Sequence, residues 1–362
     1  MQSASIRKWL LALTLLAVIL WTIVHFYNQY AQKTETVTRI ILEPQGDYSY
    51  RKTNILAAKP QKTATDADSQ KDSRQKVEEW LTLHQRSAAS LLAAFHVLDD
   101  FNYLKEAATN YPTNPQVEWT VLARNMFPAD RRRWLDLFKA SSPSNSLANY
   151  LSAQVYFQNG QSAAAVKDLV AATTKPQFEN YAMESQLDAE ELGLFLGKSA
   201  VNSTETALAG WSKDTMQELA TIKQLAGQME DLQKQELNVG DKDSAENLAQ
   251  MGTILGGQLN SGAGGNYIIN QLVGIAVEEK MFDQLDSNTS YDFLDGETPD
   301  QRLQELNQQK AMLNQLEKNF EAIQPGLTDA ERVSFQERVK IYGEIAAMRW
   351  LLQQRGNPQT GQ

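Results

Sequence analysis

The sequence predicts an all-α protein preceded by a single membrane-spanning helix. From residue 76 onward, apolar residues recur with the period of an α-helix, and the alternation typical of strands is almost absent. Proline and glycine interrupt this pattern at intervals that suit short helix pairs. The chain has 362 residues, of which 42% are hydrophobic and 22% charged, and these are values of a globular protein.

The charge and the residue types argue against several functions. A formal net charge of −10 disfavours nucleic-acid binding, because contact with phosphates needs clustered Lys and Arg. The chain has no cysteine, which excludes thiol catalysis, disulfides and Cys-ligated zinc. His84 and His96 would lie roughly 18 Å apart on one helix, and no HExxH or GxSxG motif occurs. We therefore predict no catalytic residue, no cofactor and no metal.

Residues 9–27, "WLLALTLLAVILWTIVHFY", predict a transmembrane helix. A helix of this length rises roughly 28 Å, which is close to the thickness of a bilayer's hydrocarbon core. A cleaved signal peptide is the alternative reading, but no small-x-small cleavage site follows. Arg7 and Lys8 favour a cytoplasmic N-terminus, residues 1–8. We expect a single-pass membrane protein whose bulk is extracytoplasmic, in the periplasm if the cell is Gram-negative or otherwise in another exterior space.

Residues 28–75 predict a flexible linker between this helix and the folded part. The stretch "KPQKTATDADSQKDSRQ" at 59–75 has no aromatic residue and no apolar period, which is typical of disorder. The last residues, 356–362, predict a disordered tail.

One segment, "SLANYLSAQVYFQNGQSAAAVKDLVAATTKP" at 146–176, predicts two helices with a break at Asn159-Gly160. The small side chains of Ala153 and Ala165 would let the two helices approach closely. Glycine suits the turn, and Pro176 cannot continue the second helix.

This pattern resembles a tetratricopeptide repeat, which has a small residue, an aromatic, a turn glycine, alanines and a final proline. The segment departs from the repeat where Asn149 and Ser152 occupy the usual Trp and Leu positions. The resemblance implies stacked helix pairs with a concave surface for peptides or partner helices. On that surface it points to Asn149, Gln154 and Tyr156, although Tyr156 suits a packing role better.

Further helix pairs are predicted on either side of this segment. Residues 91–115 and 117–143 each contain two helical patterns that end near a proline. Together the three pairs predict a repeat array over residues 76–195. A fourth unit is predicted at 211–259, where Gly240 would supply the turn.

The C-terminal region, residues 196–355, is predicted to be a second helical domain. Thr298 and Thr328 each begin a capping-box pattern, which marks the start of a helix. Pro325-Gly326 would join the two helices into a long antiparallel hairpin.

Two loops have some of the features of a ligand site. "GGQLNSGAGGNY" at 256–267 lacks the Lys-Ser/Thr ending and the preceding strand of a phosphate-binding loop, which favours a flexible helix connector. "DSNTSYDFLDGE" at 286–297 has oxygen-bearing residues at the spacing of a calcium loop. Tyr291 replaces the central glycine of such a loop, which favours a polar loop that ends in a helix cap.

The leading functional expectation is a membrane-anchored helical-repeat protein that binds or scaffolds other proteins, whose identity the sequence leaves open. The alternative is an enzyme or a small-ligand receptor with a pocket in the C-terminal half, near residues 252–297. A structural envelope protein without a dedicated ligand is a third reading.

Overall fold

The computed structural model describes residues 66–261 and 267–356. Within these residues the chain forms fourteen α-helices, three short 3-10 segments and no β-strand. One isolated β-bridge joins Asn145 and Gln177. The prediction of an all-α fold is confirmed.

The helices follow one another with short connections. The first seven are α1 (Asp66–Leu83), α2 (Ala88–Leu98), α3 (Phe101–Asn110), α4 (Pro115–Ala123), α5 (Arg131–Ser141), α6 (Leu147–Gln158) and α7 (Ser162–Thr173). The other seven are α8 (Ala182–Phe195), α9 (Ala200–Asn238), α10 (Lys242–Ser261), α11 (Ile268–Phe282), α12 (Pro299–Ile323), α13 (Asp329–Tyr342) and α14 (Glu344–Gln354).

Three successive helix pairs, α2–α3, α4–α5 and α6–α7, form the first part of the described chain. The break at Asn159-Gly160 is confirmed, and Gly160 has a φ of 69°, which glycine adopts without strain. Ala153 and Ala165 are fully buried where α6 meets α7. Pro115 begins α4 instead of ending the pair before it, because proline is well tolerated at the first position of a helix.

The predicted fourth unit at 211–259 is formed by α9 and α10, although α9 begins earlier than predicted, at Ala200. Helix α9 has 39 residues and packs against α2, α4 and α6, which are the first helices of the three pairs. It also packs against α8 and α10. Gly240, with a φ of 82°, makes the predicted turn to α10. The unit is longer than predicted because no proline interrupts the chain from Ala200 to Asn238.

The C-terminal helices begin as predicted and then depart from the prediction. Thr298 and Thr328 both form complete capping boxes. The predicted hairpin joined at Pro325-Gly326 is confirmed only in part, because Gly343, with a φ of 84°, divides its second arm into α13 and α14. It is α14 that packs along α12, while α13 lies against α9 and α14.

The predicted linker, residues 28–75, is shorter than expected, because α1 already begins at Asp66. Val77, Trp80 and Leu81 are buried and fix the second half of this helix. The helix extends toward its N-terminus from that anchored part, since each added residue costs little once a helix has formed. Arg74 pairs with Asp100 at 3.3 Å and holds the extension.

The expected single-pass membrane localisation is corrected by the structure. Among the residues that it describes, no helix combines the length and the apolar character needed to span a bilayer. The segment 9–27, on which that expectation was based, lies outside the described residues, as do 1–8, most of the linker and 357–362.

Part of the predicted glycine-rich connector, 256–267, is helical instead. Gly256 and Gly257 lie within α10, and residues 262–266 are outside the described part. A Cβ atom at Gly256 would lie 2.8 Å from the carbonyl oxygen of Gly274 on α11. The glycine is therefore retained within a helix because it lets α10 and α11 approach closely, which outweighs its poor helix propensity.

This close approach predicts opposite effects at two adjacent glycines. Gly256→Ala should destabilise the chain by about 1–3 kcal/mol, because the new methyl group overlaps α11. A Cβ atom at Gly257 meets nothing within 4 Å, so Gly257→Ala should be neutral or should stabilise the chain by up to about 1 kcal/mol. Urea unfolding followed by circular dichroism measures both. Equal effects of the two substitutions would contradict the packing argument.

Candidate functional site

The candidate site is the junction between α9 and the first helices of the three pairs. Side chains of α2, α4 and α6 meet side chains of α9 there: His96 packs beside Asp214, and Trp119, Arg124 and Gln154 donate hydrogen bonds to α9. We call this set the α9 seam; its members are His96, Trp119, Arg124, Gln154, Asp214, Glu218 and Gln224.

At one end of the α9 seam, Arg124 holds α9 through an ion pair. Its Nε donates a hydrogen bond to Asp214, and its Nη2 donates to the carbonyl oxygen of Gly210 at 3.2 Å. Burial raises the pKa of Asp214 to about 7, even though Arg124 acts in the opposite direction. The helix is thus held by a cation whose partner carboxyl group is fully buried.

His96 lies beside this pair without taking part as a charge. Its Nδ1 is 3.8 Å from Oδ2 of Asp214, and neither ring nitrogen has a hydrogen-bond partner. Burial, and then the charge of Arg124, lower the pKa of His96 to about 3. The ring is therefore neutral at physiological pH and packs between α2 and α9.

Trp119 and Glu218 form the middle of the α9 seam. The indole Nε1 of Trp119 donates a hydrogen bond of 2.8 Å to Oε2 of Glu218, and both side chains are buried. Asn180 approaches the other carboxyl oxygen at 3.5 Å. Burial raises the pKa of Glu218 to about 8, so the group keeps its proton at neutral pH. A neutral carboxyl group here avoids the cost of an unpaired buried charge.

A second buried carboxyl group lies next to Trp119 in the chain. Glu118 accepts a hydrogen bond from Oγ of Ser141 on α5, and its Oε1 is buried without a partner. Burial raises the pKa of Glu118 to about 7. Glu118 therefore holds α4 against α5, the other helix of its pair, whereas Glu218 holds α4 against α9.

A small cavity of about 230 Å³ lies along the α9 seam between α4, α6 and α9. Five of its twelve lining residues carry amide side chains, and Gln154 donates to Oε1 of Gln224 at 3.3 Å across one edge. The volume is below the range of roughly 300–1,000 Å³ typical of small-molecule sites. Within the described ranges, no three His, Asp or Glu side chains are grouped so that they could hold a metal ion. The α9 seam is thus suited to holding a helix.

The three residues that the repeat resemblance pointed to do not form one surface. Gln154 faces α9 as part of the α9 seam. Asn149 is buried within its own pair, where its Nδ2 donates to Asp168 at 3.1 Å. Tyr156 is half-buried against the core beneath the guanidinium of Arg132, at 4.7 Å, and the packing role is confirmed.

The acidic loop at 286–297 is ordered by its own hydrogen bonds. Asp286 accepts from the backbone N–H of Asn288 and from Oγ1 of Thr289. Tyr291, at the position of the missing glycine, is buried, and its hydroxyl accepts from the backbone N–H of Asp286 at 3.2 Å. The loop therefore folds around a tyrosine side chain and leads into the cap of α12.

The distance of roughly 18 Å predicted between His84 and His96 assumed that both lie on one helix. The structure does not place them on one helix. α1 ends at Leu83, and Gln85 and Arg86 form a turn with φ values of 55° and 47°. His84 stacks on Trp80 at 4.1 Å and lies 3.7 Å from Glu191. His96 is buried at the α9 seam.

Sequence reasoning did not single out Asp214 and Glu218. Both lie four residues apart beside an apolar stripe, where charged residues ordinarily mark the solvent side of a helix. Met216, which lies between them in the chain, is 47% exposed, while the two acidic residues are buried. No local signal distinguishes these carboxyl groups from solvated ones, because their burial depends on helices about 100 residues earlier.

Comparison with known proteins found no matching family model, no matching curated protein and no matching solved structure.

The raised pKa of Glu218 predicts a pH dependence of stability. The folded chain binds this proton more tightly than the unfolded chain, so the contribution is lost as pH rises from about 4.5 to about 8. In Glu218→Gln the contribution is absent, and the variant should gain on the order of 2 kcal/mol relative to the wild type between pH 5 and pH 8.

Urea unfolding at both pH values measures this difference. The matched control is Asp231→Asn, which neutralises an exposed carboxylate on the same helix and should show no comparable change with pH. Parallel pH profiles of wild type and Glu218→Gln would contradict the assignment of a protonated Glu218.

Proposed function

We propose that this chain is a helical-repeat protein, similar in architecture to tetratricopeptide proteins, that acts by binding or scaffolding other proteins. The observation that carries the proposal is that the first helices of three successive pairs together hold one helix, α9. Recognition of a helix in a groove between helices is a common mode of protein–protein binding. The same chain uses this mode internally, which supports an array built for helical partners.

A partner of the folded chain has to use a face that α9 leaves open. Leu187 and Leu194 on α8 are 47% and 46% exposed, and they flank Glu191 on one side of the helix. Glu191 contacts His84, and the adjacent Leu83 is 65% exposed. We call these three leucines the α1–α8 patch. Grouped apolar side chains on a surface are typical of protein-binding sites.

The proposal is tested by cross-linked capture from the native cells. The tagged full-length chain is compared with a variant that carries Leu83→Ser, Leu187→Ser and Leu194→Ser, and bound proteins are quantified by mass spectrometry. We expect one or a few proteins to bind the wild type and to fall at least about fivefold with the variant, because the anchors of an interface supply most of its affinity.

The control variant carries Val170→Ser, Val239→Ser and Met312→Ser, which alter side chains that are 47%, 78% and 59% exposed elsewhere on the surface. It should capture the same proteins as the wild type. Capture of nothing above background by the wild type and the control would overturn the binding proposal. Equal capture by all three chains would retain it and reject the α1–α8 patch.

A further inference from the structure

A second cavity, separate from the α9 seam, lies beneath α13. It has a volume of about 420 Å³, within the range typical of small-molecule sites, and it lies between α8, α9, α12 and α13. We call it the α13 groove. Its apolar lining includes Leu208, Tyr267, Phe320, Leu327, Phe335 and Val339.

The helix that covers the groove is poorly packed. No residue of α13 is buried, although Phe335 and Val339, one turn apart, face the groove. Phe335 contacts Phe320 on α12 at a ring distance of 4.8 Å, which leaves the rest of its surface toward the cavity. Leu208 on the opposite wall is 40% exposed. The groove thus leaves apolar surface in water that a ligand would cover.

Polar contacts at its two ends hold α13 over the groove. Arg355 pairs with Glu331 at 2.7 Å near the start of the helix. Lys340 pairs with Glu190 at 2.5 Å and with Glu337 at 2.9 Å near its end. Within the groove, Gln186 of α8 donates a hydrogen bond of 3.2 Å to the hydroxyl of Tyr267.

One cation at the rim of the groove is left almost without a partner. Among the described contacts, the guanidinium of Arg332 makes no hydrogen bond, and its only ion contact is with Glu205 at 3.9 Å. Both side chains are well exposed, at 39% and 56%, so this contact contributes little. Lys340, by contrast, is already satisfied by two carboxylates. Arg332 is therefore the lining cation that is able to receive an incoming anion in a bidentate manner.

We propose that the α13 groove binds a small amphipathic carboxylate, a molecule with one apolar chain and one carboxylate head. The apolar chain of the ligand lies between Leu208, Phe320 and Phe335. Its carboxylate accepts two hydrogen bonds from Arg332 in place of the contact with Glu205. The apolar lining selects the chain, and the single unsatisfied cation at the rim selects one negative charge. This ligand site is independent of the protein-binding role proposed above.

Calorimetric titration of the full-length chain with decanoate tests the proposal, with decanol as a neutral probe of the same chain length. We expect saturable binding of one decanoate per chain, and weaker binding of decanol. Arg332→Gln should weaken decanoate binding at least about fivefold, as expected for loss of a charge-assisted hydrogen bond, and should leave decanol binding unchanged.

Two further variants locate the site. Val339→Trp fills the groove and should abolish binding of both probes; Leu208→Trp fills it from the opposite wall if the first variant does not fold, as judged by circular dichroism. Arg349→Gln is the matched control, because it removes an exposed arginine from the neighbouring helix α14, and it should bind both probes like the wild type.

Three results would overturn the proposal. One is the absence of saturable decanoate binding to the wild type. Another is binding that persists in the groove-filling variants, which would place the probe elsewhere on the chain. The third is a combination of two results: Val339→Trp abolishes binding of both probes, and Arg332→Gln binds decanoate like the wild type. This combination would indicate that the groove binds a ligand without a negative charge.

Discussion

The burial of α9 against three earlier helices is the constraint on which the rest of the described structure depends. Each helix pair is short and leaves one face of its first helix uncovered. A single helix of 39 residues covers all three faces and also supports α8, α10 and α13. Without it, α2, α4 and α6 would expose apolar surface together with the polar groups of the α9 seam.

The chemistry of this junction explains how acidic residues are tolerated in it. Asp214 is compensated by a paired cation, whereas Glu218 keeps its proton and accepts from an indole N–H. The two solutions differ in kind, because a cation balances the buried charge of Asp214, whereas protonation removes the charge of Glu218. Such buried polar contacts fix which faces of two helices meet, and an apolar junction would leave more freedom to slide.

Local signals in the sequence predicted the helices well and their arrangement only in part. The capping box at Thr298 and the turn at Gly160 depend on neighbouring residues, so a few letters of sequence suffice to recognise them. The role of Gly256 depends on contact with Gly274 on another helix. The burial of Glu218 depends on Trp119, which lies 99 residues earlier in the chain. Such distant pairings leave no periodic trace in either segment.

The order of the elements along the chain has a consequence for synthesis. The ribosome completes α2, α4 and α6 before it begins α9, so their shared face stays open to water until about the 238th residue has emerged. During that interval the faces of α2, α4 and α6 that α9 later covers are exposed on the nascent chain. A chaperone or an assembly partner that binds exposed apolar helix faces can therefore reach them during synthesis but not after folding.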